Sequence, residues 1–98
     1  MSDKYILNGH EVVPCSDFMQ WAMWFESADR IVAKDTVGDS DISTVFLGLD
    51  HSFGEGPPLI FETMVFGGKL SDKMARYSTW DEAVSGHNTM IERVRAEK

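Results

Sequence analysis

The chain has 98 residues, 43% hydrophobic and 26% charged, with a formal charge of −7 and a single cysteine. That length supports one domain with one modest core, and six Phe with three Trp make the chain too apolar and too aromatic for intrinsic disorder. No apolar run approaches the roughly 20 residues of a membrane helix, and Met-Ser-Asp-Lys-Tyr carries no basic segment leading into a hydrophobic one, so a protein with neither span nor secretion signal is expected. Cys15 alone supports neither an internal disulfide nor a cysteine-based zinc site, which fits a reducing cytoplasm.

In chain order, Tyr5 to Leu7 and His10 to Val13 flank Asn8-Gly9, a dipeptide suited to a two-residue hairpin turn. Pro14 ends the pairing, and Ser16 or Asp17 caps a helix running to about Ala28. Phe18, Trp21, Ala22, Phe25 and Ala28 form the expected core stripe of that helix. Trp24 lies beside the stripe, and Met19 and Met23 sit one turn apart on a flank too apolar to face water throughout.

Ile31 to Val37 and Ile42 to Leu47 are rich in β-branched residues and are separated by Gly38-Asp39-Ser40-Asp41, which predicts a second hairpin. Leu59 to Phe66 is apolar on both faces, the pattern of a central strand. After Gly67-Gly68 and a polar segment, Met74 to Tyr77 returns as an edge strand. Thr79-Trp80-Asp81-Glu82 has the form of a capping box, and Trp80, Ala83, Val84, His87, Met90, Ile91 and Val94 fall on one arc of the helix that follows. Arg93, Arg95 and Lys98 suit its C-terminal end. The predicted order is β-β-α-β-β-β-β-α, a single α+β domain of mostly antiparallel sheet with two amphipathic helices packed on it.

Charge is unevenly placed. Residues 1–58 hold ten acids (Asp3, Glu11, Asp17, Glu26, Asp29, Asp35, Asp39, Asp41, Asp50, Glu55) against three bases (Lys4, Arg30, Lys34), and the other 40 residues balance six against six. The acidic first part repels phosphate backbones, which argues against direct nucleic-acid binding and leaves either a solvated surface or one steered toward a basic protein. Asp35, Asp39 and Asp41, with Met19, Met23 and Trp24, are therefore the candidate protein-binding residues.

Candidate chemistry is sparse. Asp50-His51 pairs a carboxylate with an imidazole, and with Glu62 and Arg76 it forms the candidate ligand-binding set around the loop Asp50 to Pro58. An Asx-type turn, with Asp50 bonded to nearby amides, explains the same residues without a ligand. Glu62 is expected on a wet face or paired with Arg76 or Lys34. His87, on an apolar stripe, is expected as a hydrogen-bonded core histidine, and His10 has no partner near it in sequence. Three histidines without H-x-x-x-H spacing predict no metal site, and the Gly-rich turns Phe53-Gly54-Glu55-Gly56 and Phe66-Gly67-Gly68-Lys69 lack phosphate-loop spacing. No catalytic residue and no cofactor are assigned.

The segments STVFLGLDHSFGEGPPLIFETMVFGG (Ser43 to Gly68) and RYSTWDEAVSGH (Arg76 to His87), with WAMWFESADRIVAK (Trp21 to Lys34), resemble a family of small uncharacterised proteins encoded by tailed bacteriophages and prophages. The resemblance implies a phage or prophage origin and a compact cytoplasmic product, and it brings no activity or site residue. The resulting expectation is a non-catalytic accessory protein that binds a host or phage protein, including the class of counter-defence, anti-CRISPR-like inhibitors. The alternative is a small-molecule binder or nucleotide-signal sponge using the 50–58 loop. Virion or assembly accessory roles stay open beside these, and an enzyme is the least favoured reading. Since two helices cover one face of a four-stranded sheet, either the N-terminal hairpin closes the other face or a homodimer does, drawing on some of Met64, Phe66, Phe46 and Trp24.

Overall fold

The computed structural model describes residues 3–52 and 56–97. Its elements follow the predicted order: β1 (Tyr5–Asn8), β2 (Glu11–Pro14), α1 (Phe18–Ser27), β3 (Ile31–Val37), β4 (Ser40–Phe46), β5 (Phe61–Phe66), β6 (Met74–Tyr77) and α2 (Trp80–Ala96). The fold is α+β, with β1 and β2 in a two-stranded sheet and β3-β4-β5-β6 in an antiparallel meander. Two turns sit slightly away from their expected places. Asn8 pairs with Glu11, so the first hairpin turns on Gly9-His10 rather than Asn8-Gly9, with Gly9 at φ +63°. Val37 pairs with Ser40, so Gly38-Asp39 alone turns the second hairpin and β4 starts two residues early. β5 begins at Phe61, although the Ile60 amide still donates to the Tyr77 carbonyl at 2.9 Å.

Strict alternation along β4 and β5 turns Ile42, Thr44, Phe46, Phe61, Thr63 and Val65 to one face, all fully buried. α2 covers that face with Ala83, His87, Met90 and Val94 at a spacing of three to four residues. Burying each large apolar side chain contributes about 1.5–3 kcal/mol. Both arms of the α2 capping box form: the Thr79 hydroxyl accepts from the Glu82 amide, and the Glu82 carboxylate accepts from the Thr79 amide, each at 3.1 Å. Gly86 brings the helix close to the sheet edge, since a Cβ there would stand 2.2 Å from the Tyr77 ring.

The hairpin and α1 pack at the other end of this same face. Tyr5, Leu7, Val12, Trp24 and Trp80 surround the buried cluster of Phe46, Ile60, Phe61 and Ala83. His10, which had no partner in sequence, stacks on Trp80 with ring centroids 3.8 Å apart and planes 8° from parallel. The hairpin thus closes the α2 side. The opposite face of the meander stays open along Ile31, Phe66 and Met74, each about half exposed.

α1 departs from expectation in its orientation. Trp21, Trp24 and Phe25 turn inward, whereas Phe18, expected in the core, is 62% exposed. The three largest neighbouring aromatics have specific inner partners. Trp21 Nε1 donates between the carbonyls of Tyr5 and Gly48, 3.1 Å from each, and Trp24 meets Phe46 edge to face at 5.7 Å. Phe25 lies over Gly48, where a Cβ would stand 2.9 Å from the ring, so the left-handed Gly48 (φ +77°) leaves room for α1 to dock. The helix therefore leans on β1 and the residues after β4 rather than lying across the meander.

Candidate functional site

The inward turn of the three aromatics leaves the other side of α1 to solvent. Phe18, Met19 and Met23 are 62%, 65% and 69% exposed, and no residue of α1 is fully buried. At 100° per residue, Phe18, Ala22, Glu26, Met19 and Met23 share one outer arc. Asp17 caps the helix, its Oδ1 accepting from the Gln20 amide at 3.1 Å. Asp29 follows its end, with Oδ1 accepting from the Ile31 amide at 3.0 Å. An apolar stripe thus runs between acidic groups. Met19 and Met23 stand on it, but Trp24 belongs to the core cluster on the inner side.

The open face of the meander is a second partly apolar surface. Its rows follow the strand register: Thr36, Asp41 and Phe66; Lys34, Ser43, Met64 and Met74; Ile31, Val45, Glu62 and Arg76. Arg76 Nε donates to Glu62 Oε2 at 3.0 Å, a cross-strand pair with both side chains largely covered. Lys34 and Arg76 against Asp41 and Glu62 leave this face neutral on a chain of charge −7. Met64 and Phe66 lie on it as expected, whereas Phe46 points the other way and is fully buried under the helices, because its position in β4 has the parity of Ile42 and Thr44.

The loop set does not assemble as a unit. Asp50 Oδ1 accepts from the amides of Ser52 (2.8 Å) and Leu59 (3.0 Å), so the carboxylate closes the loop between β4 and β5. Chiefly the Ser52 amide, then the Ser52 hydroxyl, hold this carboxyl below its ordinary pKa, against a smaller opposing effect of burial; the Leu59 amide and the neighbouring His51 add to the lowering. This is the local backbone role that an Asx-type turn predicts. Among the described residues no hydrogen bond or ion pair links Asp50 or the exposed His51 to Glu62 or Arg76. Phe53, Gly54 and Glu55, which belong to the candidate loop, lie outside the described residues, as does Lys98.

Two of the candidate acids carry internal bonds. Asp41 accepts from the Thr36 hydroxyl at 2.7 Å. Asp35 Oδ2 accepts from His87 Nε2 at 2.7 Å, and His87 Nδ1 lies 2.7 Å from Thr44 Oγ1, which is 2.5 Å from Thr63 Oγ1. With Nε2 protonated toward Asp35, Nδ1 accepts from Thr44, and Thr44 accepts from Thr63, so both imidazole nitrogens and both hydroxyls are engaged. A carboxylate, an imidazole and a hydroxyl in line resemble a nucleophilic relay. Thr44 and Thr63 are fully buried between α2 and the sheet, however, and the line instead fixes α2 on β3, β4 and β5. His87 is thereby the hydrogen-bonded core histidine its position predicts. Asp39 remains at the surface beside a cavity of about 240 Å³, lined also by Val37, Leu70 and Val94.

Among the described residues no group of three or more His, Cys, Asp or Glu could hold a metal ion, and no helix is long and apolar enough to cross a membrane. Sequence reasoning missed Phe18 as a surface residue and the Asp35–His87 bond, which spans 52 positions. Compared with known proteins, the chain matches no family model, no curated protein and no solved structure.

Proposed function

We propose that this chain is a small non-catalytic accessory protein of a phage or prophage that acts in the host cytoplasm by binding a host or phage protein, as a counter-defence inhibitor would. The observation that carries the reading is the outer stripe of α1. A ten-residue helix with Phe18, Met19 and Met23 each more than 60% exposed, and with no residue fully buried, turns one side to the core and leaves the other to a partner. Met and aromatic side chains are enriched at interfaces, where Met adapts its shape to the surface it meets. The chemistry on view favours binding over catalysis, because the imidazole and hydroxyls of the aligned acid–imidazole–hydroxyl series lie buried in the core and the Asp50 carboxylate is engaged by backbone amides.

Affinity purification from host lysate, with the wild-type chain and a Met19→Ser/Met23→Ser variant as baits, tests this. The expected result is one or a few proteins retained by the wild type and lost with the variant. Recovery of nothing above background, or equal recovery by both baits, overturns the reading.

The open, neutral face of the meander favours self-association as a second property. Stacked antiparallel sheets pack about 10 Å apart, and a neutral face lets two copies of an acidic chain meet without juxtaposing like charges. A homodimer through Ile31, Met64, Phe66 and Met74 should give twice the chain mass in sedimentation equilibrium at low micromolar concentration, and Phe66→Asp should halve it.

A further inference from the structure

We infer that the outer stripe of α1 receives a short basic amphipathic helix of the partner protein. This rests on the protein-binding reading above and adds the partner's chemistry. α1 is about 15 Å long, and its exposed Phe18, Met19 and Met23 span less than two turns. That length matches two or three turns of a partner helix presenting anchors at i, i+3 or i+4, and i+7.

Charge selects the kind of helix. Asp17 stands at one end of the stripe, Glu26 lies on its arc one turn beyond Met23, and Asp29 follows the last turn. α1 itself contains no Lys or Arg. The nearest base beyond it in sequence, Arg30, is turned away: its guanidinium sits 3.9 Å over the Phe25 ring and its Nη1 donates to the Phe46 carbonyl at 3.4 Å. Asp17 and Asp29 each spend one of two carboxylate oxygens on a backbone amide. An apolar stripe with acids at its ends and on its arc that form no ion pair among the described residues attracts Lys and Arg flanking a partner's apolar face, and repels the same stripe of a second copy and an anionic bilayer alike. Thioether side chains let one stripe accept apolar anchors of different shape, so charge rather than close fit sets the preference.

The test uses the intact chain and two labelled 14-residue peptides, one of leucine and lysine in amphipathic helical spacing and one with glutamate for every lysine, followed by fluorescence anisotropy. The lysine peptide should bind, weaken as salt is raised, and bind at least tenfold more weakly to Met19→Ser/Met23→Ser. It should bind unchanged to Phe66→Ser/Met74→Ser on the open sheet face, and the glutamate peptide should not bind. Far-ultraviolet circular dichroism spectra like the wild type's for both variants exclude misfolding as the cause. Equal binding of the two peptides, no binding of either, equal affinity for the stripe variant, or preferential binding to phosphatidylserine vesicles each overturns the inference. The two failures are separable: if lysate capture depends on Met19 and Met23 while the lysine peptide does not bind, protein binding stands and the basic-helix partner falls.

Discussion

The two helices of this domain divide its work. α2 brings four buried residues to the meander, has both arms of a capping box, and carries a histidine bonded on both ring nitrogens. α1 has no fully buried residue, is held mainly by three inward aromatics, and turns its most flexible apolar side chains to water. A helix bound into a polar line through the core is expensive to disturb. One leaning on a strand by ring contacts has a whole face left over. The difference separates the residues that make the fold from those with no internal task.

The sharpest way to break this contrast is His87→Ala. It removes a buried ring and leaves the Thr44 hydroxyl without its acceptor, which combines a cavity with an unsatisfied buried donor and should cost about 3 kcal/mol in urea denaturation. Asp35 is more than half exposed and can return to water, so Asp35→Asn should cost less than His87→Ala while still lowering the melting temperature. Charge reversal at Asp35 therefore affects stability as well as the surface. A loss below about 1 kcal/mol for His87→Ala would show that apolar contacts alone seat α2.

Gly86→Ala sharpens the same point, because propensity and packing pull in opposite directions. In an open helix the change stabilises by about 1 kcal/mol. Here the new methyl meets the Tyr77 ring, and moving a partly buried aromatic that sits on β6 should cost about 1–3 kcal/mol, giving net destabilisation. Tyr77→Ala/Gly86→Ala should recover the helix benefit relative to Tyr77→Ala alone, and a double-mutant cycle reads the coupling.

How much of this was legible follows from which forces are local. The α2 capping box lies within four residues, and its stripe repeats over four turns, so both could be read directly. The Glu62–Arg76 pair was foreseeable once β5 and β6 were assigned as antiparallel neighbours. α1 was harder: apolar on nearly all sides, it offers no polar arc to mark the wet face. The inner partners come from distant segments: the carbonyls of Tyr5 and Gly48 for Trp21 and the Phe46 ring for Trp24, and with these turned in Phe18 turns out. The stack of His10 on Trp80 joins residues 70 positions apart, and no spacing rule connects them.

Asp50 offers a smaller, pH-dependent effect outside both helices. Its carboxyl titrates below the ordinary value of about 3.9 because backbone amides and a hydroxyl favour the charged form. A group depressed in the folded state contributes stability that is fully present above its unfolded pKa and is lost as pH falls through the folded pKa. Asp50→Ala should thus cost about 1 kcal/mol at pH 7, and the gap between wild type and variant should close as the pH is taken below 4. A gap that stays constant down to pH 2 would assign the effect to packing rather than to the charged loop closure.

The smallest expected effect is the most telling for α1. Phe18→Ser, Met19→Ser and Met23→Ser remove side chains that are already mostly in water, so each should change unfolding free energy by no more than about 0.5 kcal/mol. Trp21→Ser on the inner side should cost several times that, since it strips a donor from two carbonyls and a ring from Phe25. Hydrogen exchange gives the complementary view: α1 amides should open with a lower free energy than those of α2, because few buried contacts hold them. If Met19→Ser and Met23→Ser proved as costly as Trp21→Ser, the stripe would have a structural task, within the chain or against another copy, and its availability to a partner would be lost. If they are silent in stability but not in binding, the same two residues separate function from fold.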